Sequence, residues 1–161
     1  KRSSVPGLRA GFVGGDDELI AKFSKLRAHG GAVQPLPIMA AAAALWRDED
    51  YVVKNRRLYR AKADDAARIL GDAFGFYRPA GGFFLWLNVG DGEAATRSLW
   101  RDAGVKVLPG GYLARAENEG HNNPGASYIR VALVHDRDRT VDALSRIKRT
   151  LLNQTRDSLP E

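Results

Sequence analysis

Three side chains of this sequence could bind anions or react with a carbonyl group. Lys1 is followed eight residues later by Arg9, and Arg130 stands between the apolar residues Ile129 and Val131. A lysine amine that is desolvated near other positive charge stays neutral, so it can attack a carbonyl carbon and move protons. The planar guanidinium of arginine binds phosphate or carboxylate through paired hydrogen bonds. Burying this charged group among apolar strand residues costs free energy unless an anion binds it. Taken alone, Lys1 and Arg9 also fit a solvated terminus and a surface arginine.

Composition excludes several other kinds of chemistry. The chain has 161 residues, no cysteine and three histidines. Disulfides, thiolate metal sites and a cysteine nucleophile are therefore excluded, and the scattered histidines predict no metal site. No apolar run approaches the roughly 18 residues that span a bilayer, so we expect no membrane partner. These features predict a globular protein of the cytoplasm.

The net charge of +6 is concentrated in the first half of the chain, where residues 1–71 carry +5 and residues 72–161 carry +1. The basic residues are densest in one segment, where they alternate with apolar residues at helical spacing. This pattern is typical of the solvated face of an amphipathic helix. The members of this cluster are Lys54, Arg56, Arg57, Arg60 and Lys62. Nucleic-acid binding would require a basic stripe with free aromatics, so we expect no nucleic-acid partner. A small basic binding module remains an alternative, which retention on nucleic acid at physiological salt would support.

The elements that must position these residues follow from periodicity and capping signals. A short apolar run at Ala10–Gly14 predicts a buried strand. Asp16 and Asp17 predict the start of a helix that ends near His29, where Gly30 and Gly31 follow. Further predicted helices cover residues 39–46, about 48–70, 93–103 and 137–152, and predicted strands cover residues 83–89, 105–108 and 128–134. The strand at Ala10–Gly14 has no partner strand within the first 71 residues, so the first half is expected to belong to a larger sheet.

Residues 1–11 read KRSSVPGLRAG. This string, with a lysine, an arginine eight residues later, a small residue and a glycine, resembles the cofactor-attachment segment of the class I/II pyridoxal-phosphate-dependent aminotransferases of fold type I. Further segments that look like the family follow in the expected order. They are PAGGFFLW at residues 79–86, VKVLPGGY at 105–112 and YIRVAL at 128–133.

The resemblance implies specific roles for the three side chains. Lys1 would be the catalytic residue, forming a Schiff base with pyridoxal 5'-phosphate and moving the substrate proton. Arg9 would bind the cofactor phosphate, and Arg130 would bind the substrate α-carboxylate. The implied partners are an amino acid and a 2-oxo acid, together with a second copy of the protein in a homodimer. Gln34 lies where relatives form dimer contacts.

The fold that the resemblance implies is α/β, the C-terminal part of a fold-type I pyridoxal-phosphate-dependent transferase. Residues 1–71 would end the large domain and include a connecting helix, and residues 72–161 would form the small domain. The acidic residue and the stacking aromatic that hold the cofactor ring in the family are absent. Lys1 and Arg9 could not hold the cofactor without them, so we expect a longer protein.

Residues 55–60 and 108–114 are also similar to the N-succinyldiaminopimelate aminotransferases of bacterial lysine biosynthesis, which would use 2-oxoglutarate as amino acceptor. Two alternatives remain open at this point. One is a β-eliminating lyase of the same fold, because the same lysine serves both reactions. The other is a catalytically idle aminotransferase-like domain of a transcriptional regulator, which a winged-helix segment upstream of Lys1 would indicate.

Overall fold

A mixture of helices and short strands makes up the computed structural model, which describes residues 2–31, 33–116 and 123–157, with the backbone alone for 154–157. Within the described ranges, no helix is both long and apolar enough to cross a membrane. The elements in chain order are α1 (Asp17–His29), α2 (Leu36–Arg47), α3 (Glu49–Leu70), β1 (Phe84–Asn88), α4 (Gly92–Ala103), β2 (Leu108–Pro109), β3 (Tyr128–Ala132) and α5 (Arg137–Asp157).

The chain divides into two compact units, Lys1–Arg56 and Arg57–Glu161, and the boundary falls inside α3. The first unit contains α1 and α2, and the second contains the sheet with α4 and α5. The division near residue 71 that the sequence indicates concerns the domains of a complete enzyme, and it stays a prediction.

Helix α1 begins and ends where its capping residues predict. The Asp16 carboxylate accepts hydrogen bonds from the backbone N–H groups of Glu18 and Leu19, both at 3.1 Å. This satisfies two of the N–H groups that a helix start leaves unpaired. At the other end the Gly30 N–H donates to the Leu26 carbonyl, and Gly31 has a φ of +70°. In the described structure no residue of α1 is buried, so its apolar stripe is exposed.

The predicted strand at Ala10–Gly14 does not form, and this expectation is wrong for the structure described. The segment has no regular secondary structure, and Phe12 and Val13 are 75% and 62% exposed. A strand is stable only when its N–H and C=O groups pair with a neighbouring strand, and the described part of the first unit contains none. The Phe12 ring instead contacts the Trp46 ring edge-on, with 4.4 Å between centroids.

The second unit is built on a three-stranded antiparallel sheet in the order β1-β3-β2. Side chains alternate between its faces, so that Leu85 and Leu87 of β1 and Ile129 and Val131 of β3 are buried on one side. These residues form one core with apolar side chains of the helices. The helical members include Ala66 and Leu70 of α3, Leu99 of α4, and Leu144 and Ile147 of α5. The opposite face of the sheet carries Phe84, Trp86 and Arg130, which are half-buried.

Strand β2 is shorter and lies later than the sequence indicates. It comprises only Leu108–Pro109, although residues 105–108 were expected to be extended. The backbone N–H groups of Gly104 and Val105 both donate to the Leu99 carbonyl at the end of α4. The Val105 N–H is therefore used at the end of α4 and is not available to the sheet, while the Val105 side chain is buried in the core.

Two glycine-rich loops cross at close range beside the sheet. A Cβ atom on Gly110 would lie 2.5 Å from the Gly125 carbonyl oxygen, and one on Gly125 would lie 2.4 Å from the Gly110 oxygen. The Asn123 amide donates to the carbonyl oxygens of Gly111 and Ala114, at 2.8 and 3.1 Å. The sequence motifs at residues 109–111 and 123–125 are thus two halves of one contact, in which only glycine leaves enough space.

Lys62 corrects the expectation that the whole basic cluster of α3 is solvated. Its side chain is buried, and its ammonium group donates to the Leu133 carbonyl at 2.9 Å and to the His135 carbonyl. Burial lowers the pKa of Lys62, and the nearby charge of Asp136 opposes that shift. The ammonium group binds carbonyls just beyond the end of β3. Lys62 therefore ties α3 to the strand that carries Arg130.

A second polar contact joins α3 to α5. The buried Asp65 carboxylate accepts two hydrogen bonds from Arg137, at 2.5 and 3.0 Å, and one from Arg68 at 3.2 Å. The Arg137 hydrogen bond is the main cause that lowers the pKa of Asp65 to about 2. Bidentate pairing of this kind compensates the buried carboxylate for lost hydration.

Candidate functional site

The predicted site residues fall into two groups, one in each compact unit. Lys1 lies outside the described residues. Arg9 belongs to the unit Lys1–Arg56, and Arg130 belongs to the unit Arg57–Glu161. Each group is therefore described within its own unit.

The residues that follow Lys1 are attached to the end of α2 and the start of α3. The Ser3 hydroxyl donates to the Leu45 carbonyl at 3.1 Å, and Arg2 contacts the same carbonyl at 3.5 Å. Arg2 also forms an ion pair with Glu49. These contacts restrain the backbone immediately after the lysine.

Arg9 is held in a backbone conformation that favours glycine. It caps a short 3-10 helix, Pro6–Leu8, with a φ of +52°, and its N–H donates to the Pro6 carbonyl at 3.2 Å. Its own carbonyl accepts a hydrogen bond from the Gln34 amide at 2.9 Å. A non-glycine residue with positive φ is retained only where its surroundings enforce it. Gln34 and the short helix are the contacts that do so here.

Arg9 is exposed, and its guanidinium is accessible to solvent or to a ligand. Among the described residues it forms no ion pair, and its one side-chain contact is a long 3.5 Å hydrogen bond to the Pro6 carbonyl. It lines a pocket of about 220 Å³ whose walls contain no carboxylate. The lining residues are Ser3, Val5, Pro6, Leu8, Arg9, Ala10, Gly11, Ala42, Leu45 and Trp46. An unpaired arginine in an acid-free pocket suits an anionic group.

Arg130 lies in the central strand of the sheet, on the face opposite the core. It is directly opposite Trp86 in β1 and Leu108 in β2. Its Cζ atom lies over the ring of Phe84, 4.3 Å from the centroid. No described carboxylate pairs with it. A half-buried guanidinium without an acidic partner is poorly compensated until an anion binds it.

Sequence reasoning missed the supporting residues. Gln34 was singled out only for dimer contacts, yet it binds the Arg9 backbone. The sequence places Phe84 only in a predicted strand, where alternation puts it on the same face as Trp86, and the register then places Arg130 opposite Trp86. The burial of Lys62 could not be predicted from the sequence, because a buried lysine and a solvated lysine occupy the same kind of position in a helical pattern.

The fold is α/β, and it carries two arginines, Arg9 and Arg130, that no described carboxylate pairs with. The sequence model of the family "Aminotransferase class I and II" matches residues 1–147. The chain belongs to this family, as the sequence resemblance implied. The 4-dedimethylamino-4-oxo-anhydrotetracycline transaminase OxyQ of Streptomyces rimosus is 30% identical over 148 residues, which cover 91% of this chain and 39% of OxyQ. An LL-diaminopimelate aminotransferase of Natranaerobius thermophilus is 29% identical, covering 91% of this chain and 37% of that protein.

Solved structures give the same family. An aminotransferase from Neisseria meningitidis superposes with a TM-score of 0.79 at 44% identity, over 91% of this chain and 37% of that one. LysN, an α-aminoadipate aminotransferase from Thermus thermophilus, superposes with a TM-score of 0.76 at 22% identity over 94% of this chain and 40% of that one, and it is complexed with N-(5'-phosphopyridoxyl)-L-leucine. The expected α/β fold of a fold-type I transferase is confirmed. The chain spans about two-fifths of the length of the curated relatives it matches.

The family depends on pyridoxal phosphate, and the described residues fit one part of that group. The phosphate is an anion, and the pocket at Arg9 offers an unpaired guanidinium with no competing carboxylate in its walls. The described residues of this unit do not include an acidic side chain in that pocket that could pair with the ring nitrogen. The fit therefore concerns the phosphate end of the cofactor.

Proposed function

We propose that this chain is the C-terminal part of a pyridoxal-phosphate-dependent aminotransferase, which transfers an amino group between an amino acid and a 2-oxo acid. The observation that carries the proposal is the family match through both Arg9 and Arg130, two arginines without a described acidic partner. Aminotransferases bind two kinds of anion, a cofactor phosphate and substrate carboxylates. One arginine is assigned to each.

In the proposed enzyme the three residues have separate tasks. Arg9 binds the cofactor phosphate through its guanidinium fork, with its backbone fixed by Gln34. Arg130 binds the α-carboxylate of the amino acid and so orients the substrate Cα. The amine of Lys1 holds the cofactor and then moves the proton at the substrate Cα. Pyridoxal phosphate, when bound, supplies an electron-withdrawing ring that stabilises negative charge at that carbon.

For the substrate, we propose N-succinyl-LL-diaminopimelate with 2-oxoglutarate in lysine biosynthesis. The resemblance of residues 55–60 and 108–114 supports this choice, and a relative named LL-diaminopimelate aminotransferase supports the related amino acid. OxyQ, at similar identity, is named for a tetracycline precursor. Turnover of N-succinyl-LL-diaminopimelate as amino donor with 2-oxoglutarate, compared with amination of a 4-oxo tetracycline precursor, distinguishes these substrates.

We also propose a cytoplasmic homodimer. The support is the apolar surface of the first unit, where Leu19, Leu26 and Leu36 are 65%, 69% and 79% exposed. Exposed apolar side chains that recur along one helix, as Leu19 and Leu26 do on α1, are normally covered by protein. Light scattering of the whole protein measures the mass, and a monomer at micromolar concentration would contradict this part of the proposal.

The central experiment uses the whole protein loaded with pyridoxal phosphate. Borohydride reduction followed by peptide mapping should place the cofactor on Lys1, and the Lys1→Ala variant should lose the visible absorbance band of the bound cofactor. Retention of that band would contradict the assignment of Lys1. Amino transfer from glutamate to a 2-oxo acid should be observed, whereas release of a keto acid without an amino acceptor would favour the β-lyase.

A further inference from the structure

Arg130 is restrained by an aromatic ring instead of an acidic side chain. In antiparallel pairing Phe84 is opposite Ala132 and Trp86 is opposite Arg130, so Phe84 and Arg130 are diagonal neighbours on one face of the sheet. Long side chains in diagonal positions can reach each other. The 4.3 Å between the Arg130 Cζ atom and the Phe84 ring centroid is within the range of a cation–π contact.

Phe84 belongs to a continuous row of side chains that begins on α3. The Lys62 ammonium lies 4.9 Å from the Tyr59 centroid, and the Tyr59 ring lies 5.6 Å from that of Phe83. The Phe83 and Phe84 rings are 4.3 Å apart. Lys62 itself is fixed by two carbonyls beyond β3. Both ends of the row are therefore anchored to the same sheet, and the position of the Phe84 ring is set by packing.

The chemistry of this contact differs from that of an ion pair. A carboxylate partner would hold Arg130 in place but would neutralise it and occupy its N–H donors. A phenyl ring attracts the cation through its π-electrons and accepts no conventional hydrogen bond, so the donors stay available for a ligand. The ring also shields one flank of the guanidinium from water, which strengthens its interaction with an anion.

We infer that Phe84, supported by Phe83 and Tyr59, is a positioning residue that holds the Arg130 guanidinium ready for the substrate carboxylate. This inference rests on the proposed role of Arg130 in carboxylate binding. Phe84 acts through Arg130, so its loss should weaken carboxylate binding and leave the chemical step unchanged.

The test uses the whole cofactor-loaded protein and compares Phe84→Leu, which removes the ring, with Phe84→Tyr, which retains it. Succinate binding is measured by calorimetry, and KM and kcat are measured for the amino donor. Loss of the ring should raise the Kd for succinate and the KM about three- to tenfold, because a cation–π contact is lost. The kcat should stay within about twofold, and the Tyr variant should resemble the wild type.

Two controls separate this inference from the proposed function. If Arg130→Gln leaves succinate affinity unchanged, the assigned role of Arg130 is wrong. If Arg130→Gln weakens binding but Phe84→Leu does not, the positioning role alone is overturned. In the double variant, loss of Phe84 should add no further effect, whereas additive losses would show that Phe84 acts independently of Arg130.

A change in folding is checked separately. Tyr77→Leu removes an exposed aromatic side chain of the same unit, and it should leave succinate affinity unchanged. The Phe84→Met variant fills similar space without a ring, so it gives the same comparison if the Leu variant is unstable. Wild-type affinity in a folded Met variant would overturn the inference.

Discussion

The proposed binding of the cofactor phosphate by Arg9 depends on a backbone conformation that the residue does not favour. The φ of +52° costs free energy for any residue with a Cβ atom. The contact from Gln34 to the Arg9 carbonyl offsets part of this cost and joins two segments that are 25 residues apart in sequence. Gln34 is therefore expected to influence phosphate binding without touching the phosphate.

Replacing Gln34 tests this expectation. Gln34→Ala removes the hydrogen bond to Arg9, so the affinity of the whole protein for pyridoxal phosphate should fall about three- to tenfold. The Gln34→Glu variant should have a still lower affinity for pyridoxal phosphate, because a carboxylate cannot donate to the Arg9 carbonyl and adds negative charge near the phosphate. Fluorescence titration with the cofactor measures both. Val33→Ala, a change in the exposed neighbour, should have wild-type affinity; equal affinities in all variants would refute the role of Gln34.

At the scale of elements, the close contact between the loops at Gly110 and Gly125 stabilises the pairing of β2 with β3. Gly110→Ala should destabilise the chain by about 2 kcal/mol, because its methyl group would overlap the Gly125 carbonyl. Gly111→Ala is the matched control, since its Cβ would have no neighbour closer than 3.7 Å. Urea unfolding measures both. An equal loss of unfolding free energy in the two variants would contradict this prediction. It would mean that helix propensity or chain entropy determines stability here, and not the close contact between Gly110 and Gly125.

The α3–α5 contact predicts a dependence of stability on pH. The pKa of Asp65 is lowered to about 2 in the folded chain, so the ionised carboxylate stabilises the fold above its unfolded pKa of about 4. This contribution is lost as pH falls from about 4 through about 2. At pH 7, Asp65→Asn should cost about 1–3 kcal/mol, and the difference from wild type should narrow below pH 4.

The neighbouring residue provides the control for that experiment. Asp64 pairs with Arg78 at the surface, where both side chains are largely exposed. Asp64→Asn should change stability by less than about 1 kcal/mol at any pH. If the two variants lose equal stability, the buried geometry of Asp65 contributes nothing beyond a surface pair.

The helices and strands differ in how well the sequence alone predicts them. Capping by Asp16 and Gly30 and the periodicity of α3 predicted helix bounds, because such signals are local. The Ala10–Gly14 strand was wrong because a strand depends on partners that local sequence does not contain. The Lys1 and Arg9 motif led to the family through resemblance. The contact of Phe84 with Arg130 depends on sheet register, which no local pattern specifies.

At the scale of the whole chain, burial is unequal between the two units. Of the described apolar residues that are buried, only Ala42 and Val52 belong to Lys1–Arg56, and the others belong to Arg57–Glu161. Local opening requires little free energy where few apolar contacts are lost. The first unit should therefore open more readily than the second in the 161-residue chain.

Hydrogen exchange of the 161-residue chain tests this inequality. Amides of β1, β3 and α5 should be the most protected, because these elements surround the core, and amides of α1 should exchange fastest, because no described residue of α1 is buried. Protection of α1 that increases with protein concentration would mean that a second copy covers its apolar stripe, in agreement with the proposed homodimer. Strong protection of α1 at every concentration would contradict the inequality, because it would require burial within a single chain.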